Sequence, residues 1–260
     1  MFKYLNPYKY YQFARRKYFN FIYDAESDLI EINKSFANLG LNLEEAQKSL
    51  VNLRSRKDVE SEAMESIHWT LFSAISIKDK NIKSILEIGT YNGVATKLLS
   101  ELFPHAKIKT VDLPETDPLF CDTYQRESDE KVEAFKTRRN KNISHPNISY
   151  YAVNSIFLPQ IIEGEKFDLI WADGGHLFPE IAWDISHAYS HLATSGWLLV
   201  DDVYTHPKAP NDGYGGPDTF KVVNYLKART SLKMELVLKR VGASFSSDPK
   251  RKKYVAVLRH

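Results

Sequence analysis

The sequence predicts an α/β fold built on a doubly wound, mostly parallel sheet, with an N-terminal helical extension. Three stretches carry this expectation. The run Ser84-Ile-Leu-Glu-Ile-Gly-Thr-Tyr-Asn-Gly-Val-Ala-Thr-Lys-Leu-Leu99 reads as a buried strand, a glycine turn and a helix start in immediate succession. Ile85, Leu86 and Ile88 suit a strand covered on both faces, and Ala95, Leu98, Leu99 and Leu102 then recur at helical spacing. Phe167-Asp-Leu-Ile-Trp-Ala-Asp-Gly-Gly-His176 repeats the arrangement and leads into a helical stripe of Ile181, Ile185, Ala188 and Leu192. Gly196-Trp-Leu-Leu-Val-Asp-Asp-Val203 is a further apolar strand that ends in adjacent carboxylates. Strands alternating with helices at this spacing form parallel sheets.

Residues 1–80 are read as an aromatic and basic segment followed by helices, and residues 81–260 as the α/β domain. The first 23 residues hold Lys3, Lys9, Arg15, Arg16 and Lys17, ten aromatics and no acid. Such a segment either lies at an anionic membrane surface or packs on its own domain or a second subunit, and packing is the preferred reading. Asn42 with Glu45 resembles a capping box, opening a helix whose apolar face is Leu43, Ala46, Leu50 and Leu53. A second helix is expected from Val59 to Ile77, with the stripe Ala63, Ile67, Leu71 and Ala74 facing the sheet. Lys107–Asp112 is the next strand. Thr116–Asn147 is a polar insertion with Lys131, Lys136, Arg138, Arg139 and Lys141 along a helix, read as a substrate-setting region or as a solvated face. The loop Tyr204–Asp218, rich in proline and glycine, is either a lid over the acceptor or an ordered connection. A helix over Thr219–Ala228 and strands over Met234–Lys239 and Tyr254–Leu258 follow.

The spacing Glu87-x-Gly89-x-x-x-Gly93 lets backbone N–H groups approach a ligand closely, with Thr90 and Tyr91 inside the turn. It is not the dinucleotide fingerprint G-x-G-x-x-G, and its acid precedes the glycines, which argues against NAD. It resembles the first motif of class I S-adenosylmethionine-dependent methyltransferases, in which this turn lies under the methionine part of the cofactor. Asp112, at the end of the second strand, can accept hydrogen bonds from two vicinal ribose hydroxyls; the alternative is that it begins a turn before Pro114.

Neighbouring parallel strands bring their carboxyl ends to one crevice, so Asp173, Asp201 and Asp202 are expected to converge. Three uncompensated carboxylates repel one another, and a divalent cation such as Mg²⁺ relieves this. The competing reading has these aspartates cap helices and begin turns. His176 lies three residues after Asp173. A hydroxyl acceptor has a pKa of about 15.7 and needs a base or metal polarisation, so His176 is read as that base, with a helix-capping histidine as the alternative.

Together, Glu87 to Gly93, Asp112, Asp173-Gly-Gly-His176 and Asp201-Asp202 resemble the metal-dependent sugar O-methyltransferases of antibiotic and surface-glycan tailoring. The resemblance spans Ile82 to His260. It implies a Rossmann-like, seven-stranded sheet with an antiparallel last strand, S-adenosylmethionine on the glycine turn, Asp112 and Asp173, and Mg²⁺ on Asp173, Asp201 and Asp202. It places Asn154 or Ser155 at the adenine and His176 at the acceptor hydroxyl.

Basic residues number 35 against 33 acidic ones, so the net +2 gives no reason to expect nucleic acid. Cys121 is the lone cysteine, in keeping with a reducing cytoplasm. No run of about 18 apolar residues and no secretory signal is seen, so a cytoplasmic protein is expected, with peripheral contact at the inner membrane face and a homo-oligomer as open options. The function expected is O-methyl transfer to a sugar or glycan precursor. The alternatives are a catechol-like small-molecule O-methyltransferase and a non-catalytic cofactor-binding scaffold.

Overall fold

The computed structural model describes residues 7–56, 66–124, 128–210 and 215–260. Four helices precede the sheet: α1 (Pro7–Ile22), α2 (Ala25–Asn38), α3 (Leu43–Arg56) and α4 (Ile67–Lys78). Then come β1 (Ser84–Ile88), α5 (Val94–Leu102), β2 (Lys107–Asp112), α6 (Phe120–Tyr124), α7 (Asp129–Asn142) and β3 (Ile148–Ala152). The chain continues through α8 (Leu158–Ile161), β4 (Phe167–Ala172), α9 (Glu180–Ser190), β5 (Leu192–Tyr204), α10 (Asp218–Arg229), β6 (Lys233–Leu238) and β7 (Lys253–Arg259).

The seven strands run in the order β3-β2-β1-β4-β5-β7-β6. β1 to β5 are parallel, and β7 inserts antiparallel between β5 and β6. Strand order reverses between β1 and β4, so the crevice for a ligand opens where these two strands end. Alternation along β4 shows why both faces must be covered. Leu169 and Trp171 join the core shared with α2 to α5, while Ile170 and Ala172 join the one shared with α8 to α10.

The capping residue Asn42 accepts from the Glu45 N–H at 3.1 Å, and Leu43, Ala46 and Leu50 are buried as their spacing predicts. The second expected helix differs. Its segment 59–65 lies outside the described residues, and from His68 to Ser76 every residue of α4 is buried. A helix enclosed on all sides needs no polar face, so the expected stripe covers only part of its buried surface. α2 was not foreseen. Asp24 caps it through the N–H groups of Glu26 and Ser27, and it buries Ile32 and Phe36 beside β6, where Asn38 donates to Glu235 at 3.2 Å. α1 is tied to the body by an ion pair between Arg15 and Asp248, while Tyr11, Phe13, Tyr18 and Phe21 remain exposed. Among the described residues, no helix is long and apolar enough to cross a membrane.

The start of β1 is pinned by Asp168, whose Oδ2 accepts from the N–H groups of Lys83 and Ser84 at 2.9 and 3.0 Å and from the Ser84 hydroxyl at 2.9 Å. Asp168→Ala strands those donors at the base of the central strands. It should cost about 2 kcal/mol in chemical denaturation with an unchanged m-value. A loss under about 0.5 kcal/mol would show that water replaces the carboxylate.

Candidate active site

The glycine turn follows β1 because nothing larger than glycine fits at position 89. Gly89 has φ +96°, and a Cβ there would lie 2.1 Å from the Asp173 carbonyl oxygen. The turn is thereby pressed against the end of β4. Gly93 (φ +74°) begins α5, and a Cβ there would meet Ile143 at 2.8 Å. Tyr91 takes φ +49° and donates its N–H to Asp112 Oδ2 at 2.5 Å. Inside the turn, the Thr90 and Thr110 hydroxyls lie 2.6 Å apart.

Glu87 points beneath this turn rather than into open space. It is fully buried, and its Oε2 accepts from Thr96 and from Thr110. Oε1 has no partner. Burial pushes its pKa up to about 8, against the two threonine donors, so the side chain is neutral at pH 7.

Asp112 sits at the end of β2 as expected, and burial raises its pKa. Its oxygens already accept from the N–H groups of Tyr91 and Leu113 and from the Tyr124 hydroxyl. Tyr124 comes from the insertion, and so does Phe135. Their rings pack with Tyr91 and Phe120 at centroid distances of 5.2 to 5.8 Å. The insertion, expected to set the substrate or to be a solvated face, therefore folds over the glycine turn. Asn142 donates to the Asn92 carbonyl at 2.9 Å. Arg139 is buried, pairs with Glu115 and lies 4.7 Å from the Tyr150 ring centroid. Its Nε and Nη1 have no hydrogen-bond partner. The sequence placed Arg139 in a cationic run, read as substrate-setting or as a solvated helical face, and gave no signal for its burial.

Asn154 and Ser155 follow β3 next to Asp112, since the Val153 N–H bonds the Asp112 carbonyl at 2.8 Å. Asn154 caps a short 3₁₀ turn over Ser155–Phe157 and donates to Asp117 at 3.2 Å. Ser155 lies beside Asp184, a buried residue of α9. Asp184 accepts the Gly175 N–H at 3.3 Å, and a Cβ on Gly174 would come within 2.5 Å of it. Asp184 thus shapes the loop that carries His176, a role invisible in sequence.

Asp173, Asp201 and Asp202 do converge. Asp173 lies close enough to Asp201 to feel its charge. His176 Nε2 lies 3.5 Å from Asp173 Oδ1 and 3.9 Å from Asp202 Oδ2, and Nδ1 is buried without a partner. His176 caps no helix, since α9 begins four residues later without a side-chain cap. Burial, then the Asp201 charge, pushes Asp173 up to about 7. Burial disfavours a charged His176, but Asp173 and Asp202 outweigh it and raise its pKa.

Neighbouring residues of a regular strand point to opposite faces. Asp201 and Asp202 nevertheless meet one cation, because the β5–β7 register breaks between Val200 and Val203 and Asp202 adopts φ +50°. That cation is Lys239, immediately after β6. Its buried Nζ bonds Asp201 Oδ2, and also Asp202 Oδ1 at 2.6 Å. Lys253 Nζ bonds Asp202 Oδ2 at 2.6 Å. Despite burial, Lys239 holds Asp201 and Asp202 below the ordinary carboxylate range, and the acids in turn raise its pKa.

The expected Mg²⁺ site does not fit this arrangement. Asp201 Oδ2 and both carboxylate oxygens of Asp202 are bonded to two ammonium groups, and a divalent ion among them would sit against buried positive charge. Among the described residues, no group of three or more His, Cys, Asp or Glu is placed to hold a metal ion. The sequence reading missed Lys239 because it looked for ligands only at the ends of the parallel strands. His187, His191 and His206 stay outside the crevice; His191 bonds the His187 carbonyl and His206 accepts from the Lys208 N–H.

Residues 86–203 match the family model described as a methyltransferase domain. That stretch is 118 of the chain's 260 residues, under half of it. The domain and the elements around it are similar to the O-methyltransferase TomG from Streptomyces achromogenes, involved in tomaymycin synthesis and solved with S-adenosylmethionine. That likeness has a TM-score of 0.53 at 16% identity, over 88% of this chain and 95% of that one. An O-methyltransferase from Bacillus cereus in complex with S-adenosylhomocysteine gives 0.51 at 13% identity, over 88% and 97%. Cofactor-bound Rv0187 from MTB gives 0.52 at 15%, over 82% and 88%. These likenesses show the fold, that of class I S-adenosylmethionine-dependent O-methyltransferases. No curated protein matches the chain.

At the base of the glycine turn, Glu87 supplies a pH signature. Between its ordinary value of 4.5 and about 8, the folded chain holds a proton that the unfolded chain has lost. Its contribution to stability therefore falls as pH rises through that window and levels off above it. Glu87→Gln should match wild type near pH 4 and exceed it towards pH 8 in urea titrations. Parallel stability curves would show that Glu87 is ionised in the fold.

Proposed function

We propose that this chain is an S-adenosylmethionine-dependent O-methyltransferase that uses His176 to deprotonate a hydroxyl of a sugar or glycan precursor. The observation that carries this reading is the contact between the two halves of the site. The glycine turn at Gly89 abuts the Asp173 carbonyl, and the Asp173 side chain leads directly to His176. The fold and the domain match support methyl transfer as the chemistry. The residues present fit the cofactor. Asp112 can face a diol once the Tyr124 hydroxyl yields its place, and the unpaired Arg139 Nη1 awaits a polar partner.

When bound, the cofactor supplies a methyl group activated on a sulfonium. The protein's own part is alignment and proton removal. Asp173 and Asp202 hold the Nε2 edge of His176, which leaves Nδ1 as the basic nitrogen that takes the acceptor proton. Lys239 and Lys253 balance the acid cluster, a task the sequence assigned to a divalent cation. An aliphatic sugar hydroxyl has greater need of such a base than a phenol, whose pKa of about 10 makes deprotonation easier. The same base weighs against a scaffold that binds cofactor without turnover.

S-adenosylhomocysteine should bind the wild type, and His176→Ala equally well, by isothermal titration; methyl transfer in an acceptor screen should fall by about 10² to 10⁴ in the variant. Absence of cofactor binding would overturn the proposal. Because the carboxylates raise the His176 pKa above 6.5, kcat/KM should rise with pH on the alkaline side of that value and lose this limb in His176→Ala. EDTA should change neither binding nor turnover. Mg²⁺-dependent turnover that is lost in Asp173→Asn would sink the role given to Lys239.

A further inference from the structure

We propose that the acceptor carries a phosphate group, held in a basic cavity that opens beside Asp202; this names the substrate class of the site above and rests on the methyl-transfer reading. The cavity, of about 240 Å³, is bounded by Tyr204 and Phe245 and by Arg240, Arg251 and Lys253. A larger one of about 720 Å³ runs beneath α1, and the two share Pro210 and Arg251. The two adjoin at these residues, so the lining runs from α1 to Lys253 beside the acid cluster. At its inner end, Lys253 Nζ is 2.6 Å from Asp202 Oδ2 and 5.1 Å from the Tyr204 ring centroid.

The charge of this concave surface is one-sided. Arg15, Lys208, Arg240, Lys250, Arg251 and Lys253 line it, and the sole carboxylate among its lining residues, Asp248, already accepts from Arg15. Among the described residues, no carboxylate pairs with Arg240, Arg251, Lys208 or Lys250. Among the described residues, a chain of net +2 thus gathers four cations without a carboxylate partner around one concavity that touches its candidate active site. Like charges so placed repel one another unless an anion joins them. Ordinary solvated arginines would not need aromatic walls, yet the Arg240 guanidinium lies 5.5 Å from the Phe245 ring centroid, which limits its freedom and presents its planar fork. A phosphate, with a charge of about −1.5 to −2 and three acceptor oxygens, matches such forks better than a neutral glycoside. The larger cavity falls within the range of about 300 to 1,000 Å³ usual for ligand pockets, so it suits the sugar or carrier beyond the phosphate.

The test uses full-length protein, with inorganic pyrophosphate as the soluble probe and phosphatidylcholine vesicles with or without phosphatidic acid as the lipid probe. S-adenosylhomocysteine titrations run alongside. The expected result is that wild type binds pyrophosphate or the phosphatidic acid vesicles, and that Arg240→Ala/Arg251→Ala weakens this by at least about tenfold while cofactor affinity holds. Retained cofactor binding also shows that the variant folds. Binding of pyrophosphate alone assigns the phosphate to a soluble acceptor, and vesicle binding lost in the variant assigns it to a lipid-linked one. Failure to bind either probe, or equal binding by the double variant, overturns the proposal. Failure to bind S-adenosylhomocysteine overturns the methyl-transfer reading instead, so the two are told apart.

Discussion

The site depends on one buried ammonium. Lys239 carries its charge into a crevice where Asp201, Asp202 and, through Asp201, Asp173 would otherwise repel one another. Without a cation, at least one of these acids would have to neutralise or the crevice would open. A buried ion pair adds little net stability compared with apolar packing, but removing one partner from it costs about 3 to 5 kcal/mol. Its value is therefore positional. It fixes Asp202 where Lys253 and His176 can both reach it, and it ties β6, which lies at the sheet edge, to β5 in the middle.

The second constraint is steric and lies at the switch point. Gly89 lets β1 and β4 end against each other, so the cofactor turn and the acid cluster are parts of one surface. The aromatic group from Tyr91, Phe120, Tyr124 and Phe135 then closes over the opposite side. The proposed cofactor and acceptor ends are thus built from different parts of the chain. The insertion covers the first, while α1 and the segment between β6 and β7 border the second. Variation in the latter can change the acceptor without disturbing the turn.

Legibility in the sequence followed the range of the interactions. The strand–turn–helix units around Gly89 and Asp173 depend on near neighbours and on the positive φ that glycine tolerates, so they can be read directly. The strands over 234–239 and 254–258 and the helix over 219–228 appear within about two residues of the expected bounds. The stripe on α9 was extended one element too far, because Leu192 fits a helical period but begins β5. α2 escaped notice because nothing in its polar composition shows that Ile32 and Phe36 face β6.

The sequence by itself determined the sheet, its switch point and the meeting of Asp173, Asp201, Asp202 and His176, because strand ends in a doubly wound sheet have only one crevice to face. Tertiary structure alone decided what neutralises them. Lys239 lies 37 positions from Asp202 along the chain, and it reaches the acids only because β7 pairs antiparallel between β5 and β6 and the β5 strand breaks its alternation at Asp202. Long-range pairing and a local kink have no period in sequence, and charge balance is a property of the folded crevice.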